Sequence, residues 1–389
     1  MLREVLKKEE KKVEYLELIY DLIFVYVIGR NNTLLHNVSN GFVEMNMFAA
    51  YLLCSLTVIQ IWSFSTYYIN MHGRNGLREH VFILINMFLL YFLGEGTRAD
   101  WQQQQQLLQY VLAWALILIN IGTQYILELR NRKNDPMIFR QTRRMLIVLF
   151  GEAAIVLCIL PVYHATGVNL APAAILYGIV GTMVHGKNAK VRLVDFTHLS
   201  ERIMLYVVFT FGEMIIALSG YFEGELTVNS VYFALMSFLI VVGLFLSYGT
   251  VYDHLIDREM STPGLIYMLL HIILIFALSL ITASLEFMRN DEINLLPKMI
   301  LLILSVLMFY LPLFFTLRYG KSRCRPTARF ILLMTGIAVS FVLLMLLFRE
   351  YMHINIALTV LYVFGVFFIL YRFGKAKETP QEKIENSNE

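Results

Sequence analysis

Residues 198–220 read HLSERIMLYVVFTFGEMIIALSG, an apolar run of membrane-spanning length that begins with the pair Glu201-Arg202 and carries one further acid, Glu213. A helix rises about 1.5 Å per residue, so Glu213 lies roughly 16 Å beyond Arg202, near the middle of a hydrocarbon core about 30 Å thick. An acidic residue at the centre of a spanning helix costs about 2.5–3.5 kcal/mol, and such residues usually face other helices or water. The stretch predicts a membrane helix with Glu213 as a candidate functional residue.

The composition extends this prediction to the whole chain. Of its 389 residues, 58% are hydrophobic and only 16% are charged, whereas a soluble domain carries about 25% charged residues. These proportions exclude a water-soluble protein and predict an all-α polytopic integral membrane protein. We expect its partners to be membrane lipids and an unknown small solute or ion, with a homo-oligomer as a further option, and we expect no nucleic-acid partner.

Apolar runs of roughly 17 to 25 residues, bounded by charged residues or by Gly, Asn and Pro, recur along the sequence. They predict about twelve transmembrane helices near residues 15–30, 44–68, 80–96, 106–128, 145–163, 170–186, 200–220, 228–252, 263–286, 295–317, 329–348 and 353–372. The charged segment 1–13 precedes the first helix. The polar segment 374–389 lacks aromatic residues and is expected to be a disordered tail.

Basic residues predict the orientation of these helices. Of the 32 Lys and Arg residues, five fall in loops of one side, and the other 27 fall in the opposite loops, in the two termini or at the start of the seventh helix. The five are Arg30, Arg98, Arg289, Lys298 and Arg349. The positive-inside rule therefore places both termini in the cytoplasm.

The chain also matches itself weakly at two adjacent offsets. An offset of 184 superposes Glu17 on Glu201, Thr66 on Thr250, Tyr68 on Tyr252 and Arg74 on Arg258, and an offset of 185 superposes Arg144 on Arg329, Gly151 on Gly336, and Leu176-Tyr177 on Leu361-Tyr362. These matches favour two six-helix halves, residues 14–187 and 188–373, repeated in parallel. An even number of spans per half would place the pseudo-symmetry axis along the membrane normal.

Acidic residues inside the predicted helices are the candidate sites. Asp21, Glu152 and Glu213 are predicted at similar depth on helices that all run from inside to outside, which favours a coupling or solute-binding role. The alternative is structural: each acid is protonated, or is paired to Arg202, Tyr, Ser or Thr. The further candidates are Glu17, Glu201, Arg202 and His271, where His271 is either a satisfied buried histidine or a proton relay.

Glycines and aromatic residues suggest how these acids are packed. Gly151 and Gly212 precede Glu152 and Glu213, and a residue without a side chain allows close approach of a neighbouring helix, an ion or water. Trp62, Tyr67 and Tyr68 are predicted to form an interfacial aromatic belt at the end of the second helix.

Recognisable enzyme motifs are absent from the sequence. It contains no phosphate-binding loop, no HExxH, no Gly-x-Ser-x-Gly and no CxxC pair. We therefore expect no enzymatic activity, no catalytic residue, no metal site and no cofactor, and a membrane enzyme is the least favoured of three classes.

Two segments resemble the low-temperature-requirement protein A family of bacterial membrane proteins. Leu16-Glu17-Leu18, Tyr20-Asp21-Leu22 and Phe24-Val25 are similar to the family's W-L-E-L-F-x-D-L-x-F-V signature, and His198-Leu199, Glu201-Arg202 and Gly212-Glu213 are similar to its H-L-x-E-R-x-G-L...L-G-E block. Tyr15, Met204 and Phe211 depart from the usual Trp, Gly and Leu, and none of these changes removes an ionisable group. The resemblance implies a multi-pass protein of the bacterial cytoplasmic membrane with a role in growth in the cold.

Two functional hypotheses follow. The first is a transporter or permease whose buried carboxylates couple movement of a solute to protons or cations, since binding at such a group can bias two packings of the helices. The second is a non-transporting membrane protein that senses or organises lipids, in which the acids form a structural polar network.

Overall fold

A computed structural model of the chain describes residues 13–74, 76–97, 104–131, 136–186, 194–223 and 227–376. The predicted N-terminal segment and almost all of the predicted disordered tail lie outside these residues. Within them, helices account for nearly the whole structure, because a backbone in hydrocarbon has no water to satisfy its polar groups and a helix satisfies them internally.

The described residues form thirteen α-helices. They are α1 (Tyr15–Asn32), α2 (Met45–His72), α3 (Leu77–Glu95), α4 (Gln104–Asn131), α5 (Pro136–Leu157), α6 (Ile159–Thr166), α7 (Ala171–Gly186), α8 (Phe196–Ala217), α9 (Val228–Thr250), α10 (Leu265–Phe287), α11 (Leu295–Thr316), α12 (Ala328–Leu347) and α13 (Met352–Lys375). Each of the twelve predicted segments overlaps one or two of these helices, and the all-α polytopic class is confirmed.

The predicted fifth segment is two helices rather than one. The helix α5 ends at Leu157, and α6 begins at Ile159. Pro161 accounts for the break, because its ring clashes with the carbonyl group four residues earlier, which is that of Leu157. Gly167 then ends α6 in the left-handed conformation, with φ of 72°, which glycine adopts readily.

Ten spans, one of them formed by α5 and α6 together, are long and apolar enough to cross a membrane within the described part of the chain. The two predicted segments outside this set correspond to α1 and α7. The helix α1 carries Glu17, Asp21 and Arg30 within 18 residues, and α7 has only 16 residues.

The chain divides into two compact units. Unit 1 comprises Met1–Leu34, Ala49–Tyr206 and Arg258–Met268. In this unit α3 packs against α1 and α4, and α5 packs against α4 and α7. Its core contains fully buried aromatic side chains, among them Tyr20, Trp62, Trp114 and Tyr125.

Unit 2 comprises Leu35–Phe48, Val207–Asp257 and Leu269–Glu389. Here α13 packs against α9 and α12. The one β-hairpin of the described residues pairs β1 (Val38–Ser39) with β2 (Phe42–Val43). Asn40 and Gly41, with φ of 54° and 80°, form its turn, in agreement with the preference of two-residue hairpin turns for Asn-Gly.

Candidate functional site

The start of α8 joins α1 in unit 1 through a buried ion pair. Arg202 Nη2 donates to Asp21 Oδ1 at 3.0 Å, and Arg202 Nε donates to Asp21 Oδ2 at 3.3 Å. Both side chains are fully buried. This two-point contact matches the planar guanidinium to the carboxylate, the geometry in which an arginine binds an acid most strongly.

Trp62 of α2 supplies a third hydrogen bond to the same acid. Its indole N–H donates to Asp21 Oδ1 at 2.8 Å, and its ring stacks on that of Tyr206 with centroids 4.4 Å apart. The predicted aromatic belt is therefore wrong: Trp62, Tyr67 and Tyr68 are each at most 2% exposed. An indole has one polar atom, and burying it is favourable where an acceptor such as Asp21 is present.

His198, one turn before Arg202, extends the network towards Glu17. Asn70 Nδ2 donates to His198 Nδ1 at 3.1 Å, and the orientation of the Asn70 amide follows from two hydrogen bonds to the backbone of Asp195. Because Nδ1 accepts, Nε2 of a neutral His198 carries the proton. That nitrogen lies 3.4 Å from Glu17 Oε2.

Glu17 also faces Arg202. Its Oε2 atom lies 3.3 Å from Arg202 Nη1, and Glu17 is 4% exposed. We call Glu17, Asp21, Trp62, His198 and Arg202 the Arg202 network. The two acids share one guanidinium, so each buried carboxylate lies beside a positive charge.

Glu152 lies in different surroundings in the same unit. It is fully buried on α5, and Gln60 Nε2 lies 3.4 Å from its Oε2 and donates also to the Ile175 carbonyl at 3.2 Å. The Trp114 side chain also interacts with this carboxyl group, although Oε1 has no hydrogen bond of ordinary length within the described residues. Gly178 leaves room for this contact, because a Cβ there would lie 2.0 Å from both Gln60 Nε2 and Glu152 Oε2.

The two glycines beside the acids behave differently. At Gly151 the ring of Tyr177 from α7 packs so closely that a Cβ would lie 2.3 Å from its hydroxyl oxygen, which confirms the expected close approach. At Gly212 no described atom lies within 4 Å of such a Cβ. Packing therefore requires the small residue before Glu152 but not before Glu213.

Unit 2 holds a second polar region, around Glu286 of α10. A cavity of about 460 Å³, which we call the Glu286 cavity, is lined by residues that include His36, Gly220, Tyr221, Phe233, Glu286 and Arg289. Glu213 is half-buried on α8 in the same unit, and the charge of Glu286 acts on it.

His36 Nε2 lies 4.0 Å from Glu286 Oε2. Desolvation and the positive charge of Arg289 nevertheless lower the pKa of His36 below its ordinary value.

The Arg202 network joins the two segments that carry the family signature, since Glu17 and Asp21 come from the first and His198 and Arg202 from the second. The sequence profile of the bacterial low temperature requirement A proteins (LtrA) matches residues 12–365. The chain belongs to this family. No curated protein matches the sequence.

The structure assigns the predicted residues of this LtrA protein to three places. Glu17, Asp21 and Arg202 meet in the Arg202 network, Glu152 lies with Gln60, and Glu213 lies in unit 2. Glu201 is half-buried and precedes Arg202 in the sequence. The described ion pairs of Arg202 are with Glu17 and Asp21 of α1. His271 of α10 is buried and meets the ring of Tyr248 edge to face, with centroids 5.9 Å apart.

Several residues of these sites in the LtrA protein escaped prediction from the sequence. Trp62, Gln60 and Asn70 all lie on α2, and nothing in the surrounding apolar sequence distinguishes them as parts of a site. The signal that could have found them is their polar hydrogen-bonding group, because a buried polar atom needs a partner. In the described part of the chain, no group of three His, Cys, Asp or Glu residues is placed to hold a metal ion.

Proposed function

We propose that this LtrA-family protein is a proton- or cation-coupled transporter of a small solute in the bacterial cytoplasmic membrane. The observation that carries the proposal is Glu152, a fully buried carboxyl group whose described hydrogen-bonding neighbours, the Gln60 amide and the Trp114 indole, are both neutral. An ionised carboxylate without a cationic partner is costly to bury. Glu152 therefore favours a bound proton or cation, and its release requires a change in the surrounding helices.

The acids differ in how well they suit this role. Asp21 is neutralised by Arg202 at two points, so exchange of a proton there would first break a strong buried contact. Glu152 has no such contact, and Glu213 is half-buried with Glu286 as an electrostatic neighbour. We therefore place coupling at Glu152 and Glu213, and a supporting role at Glu17, Asp21, Glu201, Arg202 and His271.

The proposal includes an arrangement in the membrane. All twelve predicted segments span the bilayer, with α1 and α7 added to the ten that qualify by length and composition, and both termini are cytoplasmic. Helices of residues 14–187 and 188–373 form the two parallel six-helix halves. The protein acts without a cofactor or an enzymatic step, contacts membrane lipids, is free to form homo-oligomers, and contributes to growth in the cold.

Proteoliposomes that are offered many solutes at once test the transport proposal. Vesicles containing the purified protein are placed in a mixture of small polar metabolites under an imposed pH or sodium gradient, and their contents are measured by mass spectrometry. We expect at least one solute to accumulate with a gradient. Glu152→Gln keeps the shape of the side chain but cannot exchange a proton, so gradient-driven accumulation should disappear while the melting temperature in detergent changes little.

The matched control is Glu350→Gln, which removes a carboxylate that is 77% exposed and should leave accumulation unchanged. The transport proposal is wrong if the wild-type protein accumulates no solute, or if Glu152→Gln accumulates as much as the wild type.

A second function is favoured by the Arg202 network. Its acids and guanidinium are buried and joined by hydrogen bonds and ion pairs, which is also what a purely structural polar core requires. In this case the protein organises or senses lipids and does not transport. Vesicles that accumulate nothing, while binding to a defined lipid raises the melting temperature, would support this alternative.

A further inference from the structure

The Glu286 cavity is lined by charges of both signs: the half-buried acid Glu286, the exposed acids Glu223 and Asp291, and Arg289. Glu286 and Arg289 line the same space three residues apart in sequence, yet no ion pair joins Arg289 to a carboxylate of the described residues. Opposite charges this close in sequence commonly pair on a protein surface. The positive charge of Arg289 acts on Glu286, but because no ion pair joins them, both groups can bind a ligand.

Glu286 provides the negative side of the cavity. Its side chain is 18% exposed, and its Oε2 atom is buried without a hydrogen bond from the described residues. A buried acceptor without a donor is unfavourable, and more so when the group is charged. The neighbouring His36 does not supply a cation at neutral pH, because its pKa is lowered and the ring is neutral there.

Arg289 provides the positive side. Its guanidinium lies over the ring of Tyr221, 5.5 Å from the ring centroid, and it rests against Gly220, where a Cβ would lie 2.1 Å from Nη1. Gly220 is thus required for the close approach of the guanidinium. The side chain remains exposed, so an aromatic ring and a glycine position the guanidinium at the cavity, and a guanidinium is a group that binds carboxylates well.

We infer that the Glu286 cavity binds a small zwitterion with one ammonium and one carboxylate group, that is, a free amino acid. The ammonium group donates to Glu286, and the carboxylate accepts from Arg289. This inference rests on the proposed transport function and names the class of solute.

Size and charge favour this class over simpler ligands. A cavity of about 460 Å³ falls within the range of roughly 300–1,000 Å³ typical of small-molecule sites, which is larger than a bare metal ion needs. An anion alone would leave the buried Glu286 oxygen without a donor, and a cation alone would leave Arg289 without an acceptor. A zwitterion satisfies both groups at once.

Thermal stability of the full chain in detergent measures this binding independently of transport. Each of the twenty protein amino acids is added separately, and for those that raise the melting temperature the matching amine without the carboxylate and the matching acid without the ammonium are added as well. We expect at least one amino acid to bind, and we expect both single-charge analogues to bind roughly 10- to 100-fold more weakly.

Variants at two residues assign the contacts. In Glu286→Gln the amino acid should lose its advantage over the matching acid, and in Arg289→Gln it should lose its advantage over the matching amine, whereas Arg289→Lys should restore part of the affinity. Glu292→Gln and Arg349→Gln change the same charges at exposed positions outside the cavity lining, and should bind as the wild type does.

The inference is overturned if no amino acid shifts the melting temperature, or if Glu286→Gln and Arg289→Gln both bind as tightly as the wild type. The two proposals fail separately. Binding in detergent with no accumulation in vesicles would refute coupled transport and leave the site intact, whereas gradient-driven accumulation of a solute that is not an amino acid would refute the zwitterion site and leave transport intact.

Discussion

At the scale of single residues, Arg202 and Glu152 illustrate two ways of burying charge in a membrane protein. Arg202 is fully buried and contacts Asp21 and Glu17, so its charge is balanced within unit 1. Glu152 is equally buried, but its described hydrogen-bonding neighbours, Gln60 and Trp114, are neutral. Asp21 and Glu152, both acids on apolar helices, are thus held in different ways, one by an ion pair and the other among neutral groups.

This difference predicts unequal effects on stability. Removing one partner of a buried ion pair typically costs about 3–5 kcal/mol, because the other charge is left uncompensated. We expect Asp21→Asn to lower the detergent melting temperature strongly, since Arg202 then loses its two-point acceptor. In Glu152→Gln an amide replaces a carboxyl group that has no charged partner. The melting temperature should therefore fall much less than in Asp21→Asn.

The measurement is the melting temperature of both variants beside that of the wild type. The double variant Asp21→Asn with Arg202→Gln provides the control, because removing both charges should restore part of the stability lost in Asp21→Asn. Equal melting temperatures for Asp21→Asn and the wild type would show that the pair adds nothing to stability.

At the scale of elements, the short helix α7 owes its packing to small residues. Gly178 lies where Gln60 of α2 and Glu152 of α5 meet, and Gly181 lies against Val148, with a Cβ at 2.8 Å from the Val148 Cγ2 atom. Glycine is unfavourable in a helix interior by roughly 0.5–1 kcal/mol relative to alanine. At Gly178 and Gly181 the close packing of side chains from α2 and α5 offsets this loss of helix stability.

We predict that Gly178→Ala destabilises the protein, although alanine favours helix. The added Cβ would lie 2.0 Å from both Gln60 Nε2 and Glu152 Oε2, so the two side chains must separate or α7 must shift. Overpacking of this kind costs about 1–3 kcal/mol, and it should also impair any activity that depends on Glu152.

Gly336→Ala on α12 is the matched control, because no described atom lies within 4 Å of a Cβ there. That variant should be as stable as the wild type or more stable. Detergent melting temperatures of the two variants distinguish the cases, and a neutral Gly178→Ala would argue against the close contact of α7 with Gln60 and Glu152.

At the scale of the whole molecule, the distribution of basic residues sets the expected topology. Only five of the 32 Lys and Arg residues are assigned to the external loops, and positive charge near helix ends is retained in the cytoplasm. The loop after α6 should then be external, and the segment between α11 and α12 should be cytoplasmic.

Cysteine labelling in intact cells tests this orientation. Val168 and Ser322 are exposed, and each is replaced by cysteine in a background without Cys54, Cys158 and Cys324. A membrane-impermeant maleimide should label Val168→Cys in intact cells and should label Ser322→Cys only after permeabilisation. Labelling of Ser322→Cys from outside would contradict the positive-inside assignment.

The sequence by itself determined the helical membrane class, the approximate position of every helix except for the break between α5 and α6, and the family. These are local properties: a long apolar run forms a helix in a bilayer whatever its neighbours are, and a signature is a string of adjacent residues. The positions of the acids were equally visible, because each is a polar residue in an apolar run.

The tertiary structure alone decided which of these acids has a partner. Asp21 and Arg202 are 181 residues apart, and Gln60 and Glu152 are 92 residues apart, so their contacts depend on how helices distant in sequence pack. Trp62 was misassigned to a membrane interface for the same reason, since an indole suits either an interface or a buried acceptor. Helix packing, which no single run of residues encodes, gives Asp21 a charged partner in the Arg202 network and gives Glu152 on α5 neutral neighbours.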